Sequence, residues 1–479
     1  MLAFALALVG GLIFGASVPP CQLSPFSYLG LSLLFIANMR EMHWEQRILA
    51  AIVWGLAVSI FPISFSIHIA KTQGATHSTD FSDWLLAIAP FLFLALVVGV
   101  VSSVAGKLWQ SKFWQGSVWV FGSASLGVIA ERLTFLLPLP LNLAVTQTDL
   151  RFLVLPVASF AGVWGISWFV WFVAAAIAEI ALSRRTNFVT IGATVAVLLL
   201  SILSLPFVAP VSGHRLLVAA VQNESEDPLT MLRSVLKPQR KDLPSLIVLP
   251  ELSLGRETTS LWQQLKRVFE EAKVHGVSVV VGLEENNPPH NSAVLMDSDG
   301  REILRYRKVH LFGTERWRYL RGREVKVKNG LGIAICFDIV FPDVVRKLAR
   351  QGAKVIAVPN HDPVVVGFLL HHLHAPFFTI RAAENRVSIV KADTTGLSQL
   401  IDCDGSVVAE APLGKSSVLK GEVTILSFSQ ADCQTLYTRF GDWFLILCAI
   451  IVVSLLFACF LNAGKRCRAT SQKSPNLPR

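Results

Sequence analysis

Three residues with complementary chemistry stand near the ends of β-rich runs in the second half of the chain. Glu251 directly follows one apolar run, Lys308 lies in a basic stretch, and Cys336 closes another apolar run. A cysteine thiol is a weak nucleophile until a base or a nearby cation favours the thiolate. Glu251 could accept the thiol proton, and Lys308 could stabilise both a thiolate and an oxyanion. Together, these residue types indicate nucleophilic catalysis by a thiol.

Each of these residues also has an ordinary structural interpretation. A strand-end cysteine is usually a small buried hydrophobe. A glutamate after a strand is usually solvated or caps a helix, and a lysine among arginines usually belongs to a charged surface. Position alone therefore does not distinguish a catalytic trio from three unrelated residues, and the flanking sequence has to decide.

The segments around the trio have the pattern of an α/β domain. Continuous β-branched runs alternate with stretches of helical spacing, as in a sheet buried on both faces. The predicted strands are 215–221, 245–250, 277–283, 331–336, 354–359 and 387–393, and the predicted helices are 261–275 and 343–351. Residues at the carboxyl ends of such strands face a crevice in which α/β proteins place ligands. We therefore expect a helix-covered sheet with the trio at its edge.

The rest of the chain has the composition of a membrane protein. Of its 479 residues, 53% are apolar and 16% are charged, against about 25% charged in ordinary soluble domains. This composition excludes a disordered chain. Several apolar stretches reach the ~20 residues needed to cross a bilayer. The predicted spans lie near residues 2–17, 23–39, 48–70, 82–105, 115–137, 152–182, 187–209 and 442–462.

These spans divide the chain into four parts. We predict a seven-helix transmembrane domain over 1–212, a soluble domain over 213–430, a final transmembrane helix over 431–464 and a basic tail over 465–479. The first span could be taken for a signal peptide, but it lacks a basic amino-terminal region and six further spans follow before the soluble domain. We therefore interpret it as a helix.

Basic residues in the loops predict the orientation, because cytoplasmic loops retain positive charge. With the amino terminus inside, the outside loops carry only Lys71 and Arg151. The inside loops then carry Arg40, Arg47, Lys107, Lys112, Arg184 and Arg185, and the basic tail is also inside. This orientation places the soluble domain on the outer face. We therefore interpret the net charge of +10 as a means of membrane anchoring and not as a sign of nucleic-acid binding. The alternative is a cytoplasmic domain on inverted spans.

The sequences that flank the trio resemble the nitrilase, or carbon–nitrogen hydrolase, superfamily. In chain order they are Leu-Pro-Glu at Glu251, Tyr-Arg-Lys-x-His-Leu-Phe at Lys308, and Ile-Cys-Phe-Asp-x-x-Phe-Pro-Asp at Cys336. The resemblance covers roughly residues 214–430. It implies an α-β-β-α sandwich, here inserted between transmembrane helices, with a catalytic triad of these three residues.

The whole chain is similar to the bacterial apolipoprotein N-acyltransferase family, which combines seven spans, an external nitrilase-like domain and one last span. Further motifs that agree lie at 162–169, 381–385, 395–398 and 435–443. The resemblance implies an acyltransferase in which Cys336 takes a fatty acyl chain from a membrane phospholipid as a thioester. The N-terminal amine of a diacylglyceryl-cysteine on an apolipoprotein then accepts the chain.

The same resemblance implies roles, partners and a location. Glu251 would act as general base and then general acid, and Lys308 would stabilise the tetrahedral intermediates. The partners would be the phospholipid donor, the diacylglyceryl apolipoprotein acceptor and the lipid bilayer, with no nucleic acid, cofactor or metal. The location would be the bacterial cytoplasmic (inner) membrane, crossed several times, with the catalytic domain on the periplasmic, outer face.

Five further residues receive supporting or substrate-binding roles through this resemblance: Glu315, Phe337, Asp338, Asn360 and Asp362. The family usually has Tyr and Glu where Phe337 and Asp338 stand, and it has a Trp that is missing after Asn360. Glu315 stands one residue short of the spacing of the family's second glutamate. We expect these changes to surround the lipid-binding mouth and not the triad, so they affect the donor and the acceptor more than the chemistry.

Two other functions fit parts of the sequence. A membrane-tethered nitrilase-like amidase or hydrolase would use water in place of the amine. A non-catalytic scaffold or transporter could carry a decayed nitrilase domain, but the complete trio argues against decay, and the spans lack the several buried charges that a transporter needs.

Two groups of polar residues lie outside these motifs. Glu131 and Arg132 lie inside the fifth span, where ionisable residues are either functional or part of a structural ion pair. His371, His372 and His374 form a cluster that could bind a metal, but no second ligand pair has suitable spacing, so no metal site is expected. Packing near the site is the expected role of His374.

Overall fold

The computed structural model of the chain describes residues 1–75, 80–110, 114–136, 140, 142–183, 191–192, 195, 213–224, 227–236, 243–255, 259–426 and 434–471. The amino-terminal part contains six apolar helices within these ranges. They are α1 (Leu2–Gly15), α2 (Pro25–Asn38), α3 (Trp44–Thr72), α4 (Phe81–Trp109), α5 (Ser117–Thr134) and α6 (Arg151–Leu182). Each begins and ends within about one helical turn of a predicted span. The predicted span at 187–209 lies almost entirely outside the described residues.

The length and hydropathy of several helices are those of a membrane protein. Four described helical segments can cross a bilayer: Trp44–Thr72, Phe81–Trp109, Val154–Leu182 and Trp443–Leu461. The last of these is only 6% buried over its most apolar window. A helix that is apolar all round and unburied by protein leaves its surface to lipid.

The soluble part contains two six-stranded sheets. The strands are β1 (Gly213–Gln222), β2 (Leu246–Val248), β3 (Ser278–Asn286), β4 (Pro289–Met296), β5 (Glu302–Arg307), β6 (Val327–Lys328), β7 (Leu331–Ile333), β8 (Val355–Pro359), β9 (Ser388–Ala392), β10 (Gln399–Ile401), β11 (Val407–Glu410) and β12 (Ser417–Leu426). Their orders are β12-β1-β2-β3-β4-β5 and β11-β10-β9-β8-β7-β6. The neighbours β1, β2 and β3 are parallel, as are β7, β8 and β9, and antiparallel strands flank both trios.

The helices of this part of the chain are α7 (Pro228–Leu236), α8 (Thr259–His275), α9 (Glu315–Arg318), α10 (Pro342–Arg350), α11 (Leu369–Asn385), α12 (Leu436–Phe440) and α13 (Trp443–Ser471). The helices α7 and α8 cover the outer face of the first sheet and α10 and α11 that of the second, whereas α13 contains the apolar segment Trp443–Leu461. Because strand side chains alternate between faces, Val218 and Ala220 enter the core between the sheets, whereas Ala219 and Val221 pack with residues of α7 and α8. This arrangement confirms the predicted α-β-β-α sandwich.

Helix α11 joins the sandwich to the membrane helices. Its residues Leu369, Ile380 and Ala383 belong to the core cluster of the membrane part, whereas Phe378 and Ala382 belong to the hydrophobic cluster of the sandwich. One helix therefore contributes to both cores, so the position of the soluble domain relative to the bilayer is set by packing and not only by the chain connections.

A kink in α6 strengthens this joint. Gly162 adopts a φ of +67°, and a Cβ at this position would lie 2.3 Å from the ring of Tyr437. Such a break removes backbone hydrogen bonds within a helix. The freed N–H of Val163 donates to Glu384 Oε1 at 2.6 Å, and the Glu384 carboxylate also pairs with Arg381. The buried ion pair of α11 therefore satisfies a backbone donor of a membrane helix.

Removing Glu384 should destabilise the fold. The substitution Glu384→Ala leaves the fully buried Arg381 and the Val163 N–H without their carboxylate, which should cost about 3–5 kcal/mol of unfolding free energy. Equilibrium denaturation in detergent micelles measures the change. The matched control Glu302→Ala removes a partly exposed pair with Arg305 and should cost at most about 1 kcal/mol. Equal losses in the two variants would contradict this account.

Candidate active site

The predicted trio comes from both sheets of the sandwich. Glu251 follows β2 and Lys308 follows β5 in the first sheet, whereas Cys336 follows β7 in the second. All three side chains are buried, with exposed fractions of 5%, 1% and 6%. The charges of Glu251 and Lys308 both act on the pKa of the Cys336 thiol. The structure therefore brings the three residues together, and Lys308 does not belong to a charged surface.

A four-residue hydrogen-bond group holds the lysine. Lys308 Nζ lies 2.8 Å from Glu251 Oε1 and 2.9 Å from Glu315 Oε2. Asn291 Nδ2 donates to the same two carboxylates, at 2.6 Å to Glu251 Oε1 and 2.9 Å to Glu315 Oε1. Burial alone would lower the pKa of Lys308, but the charges of Glu251, Cys336 and Glu315 outweigh it and raise the pKa well above its ordinary value. The ammonium is therefore retained inside the protein.

The surroundings of Glu251 favour the protonated form of its carboxyl group. Burial raises the pKa of its carboxyl group, and the nearby Glu315 raises it further, although Lys308 opposes the change. A carboxylate with a raised pKa accepts a proton more readily, because basicity rises with pKa. Glu251 is thereby suited to take a proton from a thiol that an isolated glutamate would leave protonated.

Cys336 occupies a strained position at the start of a short 3₁₀ helix that covers Cys336–Val340. Its φ of +43° lies in the left-handed region, which costs of order 1–3 kcal/mol for a residue other than glycine. Burial and the charge of Glu251 raise the pKa of its thiol well above the ordinary value. The resting site therefore holds a neutral thiol, and attack requires transfer of its proton to a base.

Asp338 fastens the loop behind Lys308 to the turn that carries Cys336. Its fully buried carboxylate accepts hydrogen bonds from the His310 N–H at 2.7 Å, the Ile335 N–H at 3.0 Å and the Tyr306 hydroxyl at 2.7 Å. The residue therefore lies behind the trio, and its predicted place at the lipid-binding mouth is wrong. Two of its three donors are backbone N–H groups close to the turn, which the short side chain of an aspartate can reach.

Phe337 and Asn360 lie on different sides of the trio. Phe337 lines a cavity beside Cys336 and packs edge-on against Phe312, with ring centres 4.9 Å apart. Asn360 is fully buried, donates from Nδ2 to Asp393 at 2.7 Å, and accepts from the backbone N–H of Glu251 at 3.4 Å. Phe337 therefore lines the cavity, whereas the backbone carbonyl of Asn360 accepts the N–H of Glu251.

Asp362 belongs to a buried charged cluster that the sequence revealed only in part. His374 Nδ1 lies 2.7 Å from its Oδ1, and Lys391 Nζ lies 3.3 Å from its Oδ2. Lys391 also contacts Asp393 at 3.1 Å, and His371 lies 3.5 Å from Asp393. The overlooked signal was the spacing of Lys391 and Asp393, two charges on one side of an otherwise apolar strand run.

This cluster extends to Cys336. The Sγ atom of Cys336 lies 4.0 Å from Asp362 Oδ1 and 3.7 Å from the carbonyl oxygen of His361. Cys336, Asp362 and His374 bring potential metal-ligating atoms within 4.8 Å of one another, and Asp362, His371 and Asp393 do the same. In both groups Asp362 already pairs with the ammonium of Lys391, which supplies the positive charge that these carboxylates need.

An apolar cavity of about 230 Å³ opens beside Cys336. Both parts of the protein form its walls. The lining residues from the membrane part include Phe14, Val18, Leu86, Pro90, Phe91 and Leu94, and those from the sandwich include Phe312, Phe337, Val340, Leu373, His374 and Phe377. The thiol therefore faces a space that membrane helices help to enclose.

Glu131, the charged residue within the fifth span, supports this cavity. Its carboxylate accepts hydrogen bonds from Ser167 Oγ at 2.7 Å, Trp171 Nε1 at 2.6 Å and the backbone N–H of Leu143 at 3.2 Å. Leu143 begins a 3₁₀ helix and lines the cavity. Neutral donors therefore hold Glu131 within the described part of the chain, and the ion pair considered from the sequence is not formed with Arg132.

Comparison with known proteins assigns both parts of the chain. Residues 217–431 match the family model of carbon–nitrogen hydrolases, and residues 10–176 match that of the apolipoprotein N-acyltransferase N-terminal domain. An apolipoprotein N-acyltransferase of Pasteurella multocida is 25% identical, with 94% of each chain covered. A nitrilase of Pyrococcus abyssi is 30% identical over 41% of this chain and 79% of the nitrilase.

Other matches are more local. An apolipoprotein N-acyltransferase of Geobacter metallireducens is 32% identical over 133 residues, which cover 27% of this chain and 25% of that protein. The matched segments of two further apolipoprotein N-acyltransferases cover 38% and 46% of their lengths. In these three alignments the chain therefore spans less than half of the relative.

The raised pKa of Cys336 predicts its alkylation behaviour. Only the thiolate reacts with iodoacetamide. The rate of alkylation of Cys336 should therefore be low at neutral pH, and it should continue to rise at pH values above the pKa of an ordinary thiol. The variant Lys308→Met should shift this profile to still higher pH, since Lys308 lowers the pKa of the thiol. Peptide mass spectrometry over a pH series measures both.

Cys403 is the internal control for this experiment. Burial raises the pKa of its thiol to about 12, and Lys308 is not among the groups that act on it. Its alkylation profile should therefore be the same in Lys308→Met as in the wild type. Rapid alkylation of Cys336 at neutral pH, or a Lys308→Met profile equal to that of the wild type, would refute the assignment.

Proposed function

The chain belongs to the carbon–nitrogen hydrolase superfamily and carries an apolipoprotein N-acyltransferase N-terminal domain, and we propose that it is itself a lipoprotein N-acyltransferase. The acyl chain moves from a membrane phospholipid to Cys336 as a thioester. It then passes to the N-terminal amine of a diacylglyceryl-cysteine on an apolipoprotein. The proposed location is the bacterial cytoplasmic membrane, with the sandwich on the periplasmic face.

One observation carries this proposal. The buried nucleophile faces an apolar cavity whose walls include Phe14 of α1 and Leu94 of α4 as well as residues of the sandwich. Burial of a CH₂ group stabilises a complex by about 0.8 kcal/mol, so such a cavity favours a long acyl chain. An enzyme for small polar amides has no need of transmembrane helices beside its nucleophile.

The first half-reaction forms the thioester. Cys336 Sγ attacks the carbonyl carbon of the phospholipid ester while Glu251 takes the thiol proton. Lys308 stabilises the negative charge that develops on the carbonyl oxygen. The ester C–O bond then breaks, and Glu251 gives the proton to the leaving oxygen, so a lysophospholipid departs and Glu251 is a carboxylate again.

The second half-reaction releases the acyl chain. The neutral amine of the acceptor attacks the thioester carbonyl, Lys308 again stabilises the oxyanion, and the C–S bond breaks. The amine N–H proton passes through Glu251 to the departing sulfur. An amide and the free Cys336 thiol result, and the charges at Glu251 and Lys308 are restored.

The other residues of the site support this chemistry. Glu315 and Asn291 hold Lys308 and Glu251 in place. Asp338 fixes the Cys336 turn, Asn360 supports the backbone of Glu251, and Phe337 forms part of the acyl cavity.

The distribution of basic residues between the two ends of the membrane helices supports the proposed orientation. In α3 the backbone of Ile67 lies against Gly367 of the sandwich, whereas Arg47 lies near the opposite end. In α4 Leu86 and Leu94 line the cavity, whereas Lys107 lies in the last turn. Arg47 and Lys107 thus stand at the helix ends away from the sandwich, whereas Lys71 lies at the sandwich end of α3. Basic residues favour the cytoplasmic side, and two of these three lie on the side opposite the sandwich.

Loss of the nucleophile should abolish lipoprotein N-acylation. In cells that depend on this protein, Cys336→Ala should leave lipoproteins with free N-terminal amines, because no thioester forms. The control Cys403→Ala, in the same domain but outside the cavity, should acylate normally. Mass spectrometry of lipoprotein N-terminal peptides measures the outcome. Normal N-acylation by Cys336→Ala would contradict the proposal. Release of free fatty acid by the wild-type protein, without formation of an amide, would favour a hydrolase instead.

A larger side chain in the cavity should reduce the length of acyl chain that the protein accepts. Leu94 lines the cavity and is 8% exposed, whereas Leu96, on the same helix, is 61% exposed. The variant Leu94→Trp should slow thioester formation from long-chain phospholipids by at least about tenfold, the equivalent of 1.4 kcal/mol, but not from short-chain ones. Leu96→Trp should change neither rate. The cavity assignment fails if both variants show the same dependence on chain length.

A further inference from the structure

The proposed acyl transfer leaves one proton without an acceptor. An α-amino group has an ordinary pKa of about 7.7–8.0, so much of the acceptor arrives as an ammonium ion. Forming an amide from an ammonium and a thioester releases one proton beyond the proton that returns to the thiol. Glu251 accounts only for the proton that reaches sulfur, and a second base must take the other.

A histidine that is hydrogen-bonded to a carboxylate faces the same cavity. His374 Nδ1 lies 2.7 Å from Asp362 Oδ1, and Asp362 Oδ1 lies 4.0 Å from the Sγ atom of Cys336. Both His374 and Asp362 line the cavity that contains the thiol. The trio of Glu251, Lys308 and Cys336 therefore has a further titratable pair beside its sulfur.

The hydrogen bond defines the tautomer of this imidazole. An ionised carboxylate only accepts hydrogen bonds, so Nδ1 carries a proton, and in the neutral form of the imidazole Nε2 carries the lone pair. Nε2 is buried and has no hydrogen-bond partner within the described part of the chain. A buried polar atom without a partner is costly, and an unpartnered acceptor in a substrate cavity is a suitable proton acceptor for a bound ligand.

The surrounding cluster keeps Asp362 ionised. Although burial acts against the charge, the ammonium of Lys391 and the hydrogen bond from His374 hold the pKa of Asp362 well below its ordinary value. The ring of Phe378 packs against the imidazole with centres 5.0 Å apart. The imidazole is thus oriented by a fixed carboxylate behind it and by an aromatic ring beside it.

We infer that His374, oriented by Asp362, is the base that removes a proton from the ammonium of the acceptor before it attacks the thioester. The proton moves from the ammonium nitrogen to Nε2, and the nitrogen lone pair then forms the C–N bond. Solvent later takes the proton from the imidazole. This role rests on the proposed N-acyltransferase function and concerns only its second half-reaction.

The two half-reactions can be measured separately. The full-length protein is reconstituted in phospholipid vesicles, and the acyl-thioester on Cys336 is quantified by mass spectrometry before and after a diacylglyceryl-cysteinyl peptide is added. In His374→Gln, thioester formation should stay within about threefold of the wild type, whereas transfer to the peptide should fall about 10²-fold or more, as expected for loss of a general base.

A second nucleophile distinguishes a base from a structural residue. Hydroxylamine is largely unprotonated near neutral pH, so it should remove the acyl group from His374→Gln and from the wild type at similar rates. The variant His374→Asn, whose amide can still donate to Asp362, should show the same selective loss of transfer. The matched control His372→Gln, at the neighbouring position on α11, should leave both half-reactions unchanged.

The outcomes separate this inference from the proposed function. Unchanged transfer in His374→Gln, or equal loss of both half-reactions in His374→Gln and His374→Asn, would overturn the role of His374. Failure of the wild-type protein to form any thioester would instead overturn the proposed acyltransferase function.

Discussion

The contact of one buried ammonium with two carboxylates is the interaction on which the site depends. Lys308 lies 2.8 Å from Glu251 and 2.9 Å from Glu315. Desolvating such ions costs several kcal/mol for each, which only close contacts and further hydrogen bonds can offset. Asn291 supplies hydrogen bonds to both carboxylates. Glu251 and Lys308 follow strands of the first sheet, whereas Cys336 follows a strand of the second. The two sheets must therefore pack closely for the thiol to reach Glu251.

The membrane helices are part of this construction. The helix α11 contributes side chains to the core of the sandwich and to that of the membrane part. Through Glu384 it also satisfies the backbone N–H of Val163 at the Gly162 kink. As a result, Leu94 and Phe14 of the membrane part line a cavity with Cys336. In the proposed reaction, the lipid reaches the thiol through this apolar cavity, and the charged groups of Glu251 and Lys308 are buried behind it.

The sequence predicted the parallel centre of both sheets but not their edges. The predicted strands correspond to β1, β2, β3, β7, β8 and β9, whose buried apolar runs are continuous. Edge strands such as β11, with its largely exposed Val407–Glu410, carry no such run. Residue types also indicated the trio of Glu251, Lys308 and Cys336. The sequence did not predict that Asp338 would connect the loop after Lys308 with the turn at Cys336. That connection depends on the backbone donors of His310 and Ile335, which no pattern of side chains reveals.

The central claim is that Cys336 carries a fatty acyl chain taken from a phospholipid. It is tested most directly by incubating the purified, full-length protein with a phospholipid of a single defined chain and then mapping its peptides by mass spectrometry. The account predicts that the peptide containing Cys336 gains the mass of the corresponding fatty acid less one water, and that hydroxylamine removes the gain. An unmodified Cys336 peptide, or an acyl group on another residue that turns over in its place, would contradict the account.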